Sequence, residues 1–105
     1  MKVRWSERAR IALRNTARYI LTNFGRKSNE AFLRKVYQTE RLLEQNPNLG
    51  PAEPFLAEAP VPYRSIVVNR LNKMVYWIND DVIEVVDFWD TRREPAGQAE
   101  QTEKQ

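Results

Sequence analysis

Three strand-like segments follow one another through tight turns in the last third of the chain: Tyr63–Asn69, Lys73–Ile78 and Val82–Trp89. Each is rich in β-branched and aromatic residues, and the connections Asn69-Arg70-Leu71-Asn72 and Asn79-Asp80-Asp81 carry turn chemistry. Connections this short allow antiparallel pairing and forbid a parallel crossover. The result is a meander, and its apolar face must be covered by something else in the chain.

The first half supplies that cover. Lys2-Val3-Arg4-Trp5 alternates as a short strand, and Ser6 with Glu7 reads as the cap and first turn of a helix. Ala9, Leu13, Ala17, Ile20 and Phe24 recur at helical steps and make one apolar stripe, which Gly25 ends. A second cap is expected at Ser28, followed by the stripe Phe32, Val36, Thr39 and Leu43, with the helix ending before Pro47. The short link between the helices predicts an antiparallel hairpin. From Pro47 to Pro62 the chain holds five of its six prolines and reads as one long extended loop. The expected fold class is α+β: strand, helix, helix, strand, strand, strand, an antiparallel sheet with a helical hairpin packed on one face. Residues 1–95 make one domain, and the polar residues 96–105 are expected to stay disordered.

Composition removes several chemistries. Without cysteine or histidine there is no disulfide, no thiolate and no imidazole base or ligand. Three glycines, none in a phosphate-loop pattern, exclude that motif too. No metal or cofactor is expected. No apolar run approaches the roughly 18 residues that span a bilayer, and no hydrophobic stretch follows Met1-Lys2, so a cytoplasmic protein is expected.

Charge is unevenly placed. Residues 1–41 carry +8, residues 42–93 carry −3 and residues 94–105 carry −2. Basic helices of this kind attract nucleic acid or an acidic protein, although charge runs also serve simply as solvated faces. Arg10, Arg14 and Arg18 fall four apart on one side of the first helix. Arg64 shares strand parity with Ile66 and Val68, so it must be paired or stand at a strand mouth. Lys73 and the pair Arg92-Arg93 sit at neighbouring strand ends and could converge with it on a phosphate. The competing reading pairs Arg64 with Asp87 or Asp90 inside the fold. Tyr63, Tyr76, Trp77 and Trp89 could stack on bases, but at least two of them are expected in the core.

The order of elements, the Pro47-Asn48-Leu49-Gly50 loop, Tyr63-Arg64-Ser65, Lys73-x-Val75-Tyr76-x-Ile78-x-Asp80 and Phe88-Trp89-Asp90-Thr91-Arg92-Arg93-Glu94-Pro95 together resemble the RelE/ParE superfamily of type II toxins across residues 2–95. The resemblance implies a bacterial growth-arresting toxin neutralised by a cognate antitoxin. Its target would be DNA gyrase, as for ParE-like members, or mRNA on the ribosome, as for RelE-like endoribonucleases. Arg64, Lys73 and Arg92 or Arg93 match the superfamily's basic positions and are the candidate target-binding residues, or catalytic residues if the chain is a nuclease. Arg10, Arg14 and Arg18 are candidates for holding the antitoxin. Two departures favour a non-catalytic, ParE-like poison: Asp90 stands where many members carry histidine, and no tyrosine follows Tyr76. A relic that only binds its antitoxin is the third possibility.

Overall fold

The computed structural model describes residues 1–92 and 95–103. It contains β1 (Lys2–Trp5), α1 (Glu7–Phe24), α2 (Arg26–Gln45), a 3-10 turn at Pro54–Leu56, β2 (Arg64–Asn69), β3 (Asn72–Asn79), β4 (Val82–Asp90) and α3 (Pro95–Glu103). Ser6 caps α1 as expected, its side chain accepting from the Ala9 N–H. The start of α2 differs from the expectation at Ser28. Gly25 has φ of 91°, a conformation open to glycine but strained for L side chains, so the chain reverses at that one residue and α2 begins at Arg26.

The sheet order is β1-β4-β3-β2, with β2, β3 and β4 antiparallel through tight turns. β1 departs from the expected all-antiparallel sheet, because it pairs parallel to β4, Lys2 opposite Val82 through Trp5 opposite Val85. The hairpin explains this. It returns the chain to where it began, with the Met1 amino group 2.8 Å from the Glu44 carbonyl oxygen at the end of α2. β2 therefore enters the sheet from the same end as β1, and two further reversals give β4 that same direction.

The hairpin covers one face. Phe32, Val36 and Leu43 of α2 and Ala9 of α1 pack on Met74, Tyr76, Ile83, Val85 and Phe88, with Phe32 and Phe88 edge to face at 5.9 Å. A register shift places Tyr76 opposite Val85 but Val75 opposite Asp87, so Val86 is an extra residue on β4. The bulge reverses the parity beyond it and lets Val85 and Phe88 share the hairpin face.

The opposite face is also covered, which the sequence pattern does not announce. Leu56 from the 3-10 turn and Ala99 from α3 pack on Val75 and Trp89. The expected disorder of residues 96–105 is thus corrected for the part described: Pro95–Glu103 is helical, and Ala99 and Thr102 are buried. Polar bonds hold this helix as much as apolar contact. The Thr102 hydroxyl donates to Asp87 at 2.6 Å and accepts from the Trp89 indole N–H at 3.0 Å. The Gln98 amide meets both the N–H and the carbonyl of Asp90, at 3.1 and 3.0 Å, as a neighbouring strand would.

Candidate binding surfaces

Arg64 opens β2 opposite Tyr76, on the hairpin side of the sheet. Its guanidinium donates to the Gly50 carbonyl at 2.7 Å and, more weakly, to the Asn48 carbonyl at 3.4 Å. The Tyr76 hydroxyl, fully buried, completes the same clamp by donating to the Pro47 carbonyl and accepting from the Gly50 N–H, at 2.8 and 2.9 Å. Arg64 therefore holds the Pro47–Gly50 turn. No carboxylate within ion-pair distance, whether Asp87 or Asp90, accompanies it among the described residues.

Lys73 faces the other way. It stands opposite Trp89, lies 5.0 Å from the centre of that indole ring, and forms an ion pair with Glu53. The Glu53 carboxylate is buried and accepts also from the Ser65 hydroxyl at 2.9 Å and the Phe55 N–H at 2.8 Å. Arg92 lies past the end of β4 and pairs with Asp90 at 2.9 and 3.1 Å. Arg93 lies outside the described residues. Sheet pleating thus sends Arg64 and Lys73 to opposite faces, and Arg92 stands at a third place. The convergent basic cluster suggested by the sequence does not form from these three.

Two concave surfaces flank the hairpin. One, of about 820 Å³, opens between α1 and the far end of the sheet, with Ile11, Tyr19 and Phe24 on one wall and Leu71, Asp90 and Arg92 on the other. The second, of about 530 Å³, runs between the helices on their solvent side. Trp5, Leu13, Ala17, Leu33, Val36 and Tyr37 floor it, while Arg10 and Arg14 rise along its α1 wall. Arg18 continues that row and is exposed. The expected apolar stripe of α1 is therefore only partly covered, and Phe24 is 65% exposed. Of the four aromatics proposed for stacking, Tyr76 and Trp89 are core, as expected for at least two.

Sequence reasoning missed Glu53 and the ion pair of Arg8 with Asp87 at 2.9 Å. Neither has a local signature, since each partner lies at least 20 residues away. Tyr76 was visible only as a core position, and its clamp depends on where the 47–50 turn arrives. Burial holds the Tyr76 hydroxyl above the usual phenol range, against the opposing pull of Gly50 and Arg64. A raised folded value means that the unfolded chain loses its proton first. Stability from this group is complete below about pH 10 and falls as pH rises through the folded value. Melting temperatures measured from pH 8 to 11 should fall less steeply at the alkaline end in Tyr76→Phe than in the parent.

A further expected result separates structure from target contact. Arg64→Ala should lower stability by about 1 kcal/mol, several degrees of melting temperature in a domain this size. A protein that melts as the parent does would show that the guanidinium does not clamp the turn.

No curated protein sequence matches the chain. Among solved structures, a chain described as the chromosomal ParDE TA system from P. aeruginosa superposes with a TM-score of 0.69 at 15% identity, covering 86% of this chain and 95% of that one. The YoeB dimer from Staphylococcus aureus gives 0.54 at 18% identity, covering 83% and 92%. At such identities the likeness is one of fold. The family model for the ParE toxin of the type II toxin–antitoxin system parDE matches residues 3–95, nearly the whole of the strand–hairpin–meander unit, and the chain belongs to that family.

Proposed function

We propose that the chain arrests growth by binding and poisoning DNA gyrase, without cleaving a substrate, and that an acidic antitoxin segment neutralises it. The observation that carries this reading is the dispersal of the basic positions. Arg64 is tied to a turn, Lys73 to Glu53 and Arg92 to Asp90. A ribonuclease needs a general base beside clustered cations. Here the histidine position is Asp90, which is bound to Arg92. Binding without catalysis needs only shaped surface, and the hairpin offers two grooves. Gyrase works in the cytoplasm, and among the described residues no helix is long and apolar enough to cross a membrane.

The test is induction without antitoxin, read separately for supercoiling and for mRNA integrity. Growth arrest with gyrase-dependent DNA cleavage and intact mRNA is expected. Cleaved mRNA with normal supercoiling would establish the RelE-like alternative, and absence of arrest would identify a relic.

The antitoxin reading places an amphipathic acidic helix in the groove between α1 and α2, where the apolar floor and the arginine wall match it. Charge reversal at Arg10, Arg14 and Arg18 together should weaken capture of the cognate antitoxin at least tenfold. The loss should shrink as salt rises, because exposed charges are screened. Titration by calorimetry at two salt concentrations checks this, and equal affinity of parent and variant would remove the arginines from the interface.

A further inference from the structure

The hairpin carries two rows of cations on its outer surface, and only part of this surface is taken up by the groove. On α1 the row is Arg10, Arg14 and Arg18, which spans about 12 Å at the helical rise. On α2 it is Lys27, Arg34 and Arg41, seven residues apart and so on one side of the helix at steps of about 10 Å. All six are exposed. The side of α2 buried against the sheet is set by Phe32, Val36, Thr39 and Leu43, so its row points directly away from the core. Among the described residues none of the six has a carboxylate within 4.0 Å, whereas Arg4, Arg8, Arg26, Lys73 and Arg92 all do. Arg41 instead lies over the Tyr37 ring, 5.8 Å from its centre.

We infer that this outer face binds the phosphate backbone of duplex DNA. Two antiparallel rows, separated by roughly the 8–10 Å of packed helix axes, suit a charged double track better than a single peptide. The outer rows stand on a convex ridge, and a polyanion needs no pocket there. Contacts of this type carry no base readout, so binding should be independent of sequence. The inference rests on the gyrase reading only for its biological substrate, which would be the DNA segment that gyrase holds. It also gives neutralisation a physical basis: an acidic helix seated in the groove beside Arg10 and Arg14 would mask one of the two rows.

The experiment is fluorescence anisotropy of the purified full chain with a labelled mixed-sequence 20-base-pair duplex between 50 and 300 mM salt. Four or five phosphate contacts predict a slope of log affinity against log salt of about −4. Arg18→Glu with Arg34→Glu, one from each row, should cost at least tenfold in affinity at 50 mM salt and flatten the slope by about 2. Lys27→Glu with Arg41→Glu should do the same, and melting curves exclude unfolding of either variant. No binding at 50 mM salt, or unchanged slopes in both double variants, would overturn the inference. So would binding of an acidic helical peptide that survives both reversals while the duplex does not bind. Gyrase supercoiling measured beside it keeps the two readings apart. A chain that poisons gyrase but ignores the duplex overturns the DNA surface alone, and one that binds the duplex but spares gyrase overturns the gyrase reading alone.

Discussion

Glu53→Ala is expected to lower stability by about 3–5 kcal/mol, the range for breaking a buried ion pair from one side. Glu53 is almost wholly buried, and its carboxylate serves the Lys73 ammonium, the Ser65 hydroxyl and the Phe55 N–H together. Truncation leaves Lys73 without a counter-charge, only 19% exposed and packed against Trp89. It also orphans a buried hydroxyl. Total stability of a domain is commonly about 5–15 kcal/mol, so the variant should be close to unfolded at growth temperature. Urea denaturation checks the magnitude. The companion Glu53→Ala with Lys73→Met should recover a large part of the loss, since an apolar pair costs less than one stranded charge. If the single variant loses under 1 kcal/mol, Lys73 is not a latch for the 47–63 loop and is open to target contact.

Gly50→Ala should be nearly as damaging, for a steric reason. A methyl group at Gly50 would lie 2.5 Å from the Ser65 carbonyl oxygen and 2.9 Å from the Tyr76 hydroxyl. The first neighbour is backbone, in a strand held on its other side by β3, so it has no cheap way to move. The second takes part in the clamp on Pro47 and Gly50. Separation of the turn from β2 would lengthen both bonds and the Arg64 contact to the Gly50 carbonyl. Overpacking of this kind costs about 1–3 kcal/mol, and the loss of the Tyr76 bonds adds about 1 more. A fall in melting temperature on the order of 10–20 °C is expected. Calorimetry of the purified variant measures it, and a change of less than about 3 °C would mean that the turn does not approach β2 this closely.

Both sites sit in a stretch that reads as loop. A proline-rich run predicts an extended path, and that much is correct. It says nothing of the 3-10 turn at Pro54–Leu56 or of Glu53 entering the core, because the partners Ser65 and Lys73 lie 12 and 20 residues away. Single-residue signals do not encode such meetings. They arise where the path of a loop crosses the face of a sheet.

Element type and order were legible in the chain because each is decided within about ten residues, by period, caps and turn residues. The helical hairpin, the three-stranded meander, the core stripe of α2 and the family resemblance all come from that local grammar. Tertiary structure alone decided the rest. The parallel pairing of β1 with β4 follows from the end of the sheet at which the hairpin delivers the chain. The bulge at Val86 reassigns faces beyond it, putting Phe88 on the hairpin side and Trp89 on the other. Gln98 and Thr102 turn a polar tail into a bound helix because β4 offers them Asp87, Trp89 and Asp90 at one edge. Arg64 and Lys73, neighbours in any listing of basic residues, end on opposite faces because their strands pair Arg64 with Tyr76 and Lys73 with Val67. Strand alternation has a period of two, so register settles which side chains can meet, and register is a property of the assembled sheet.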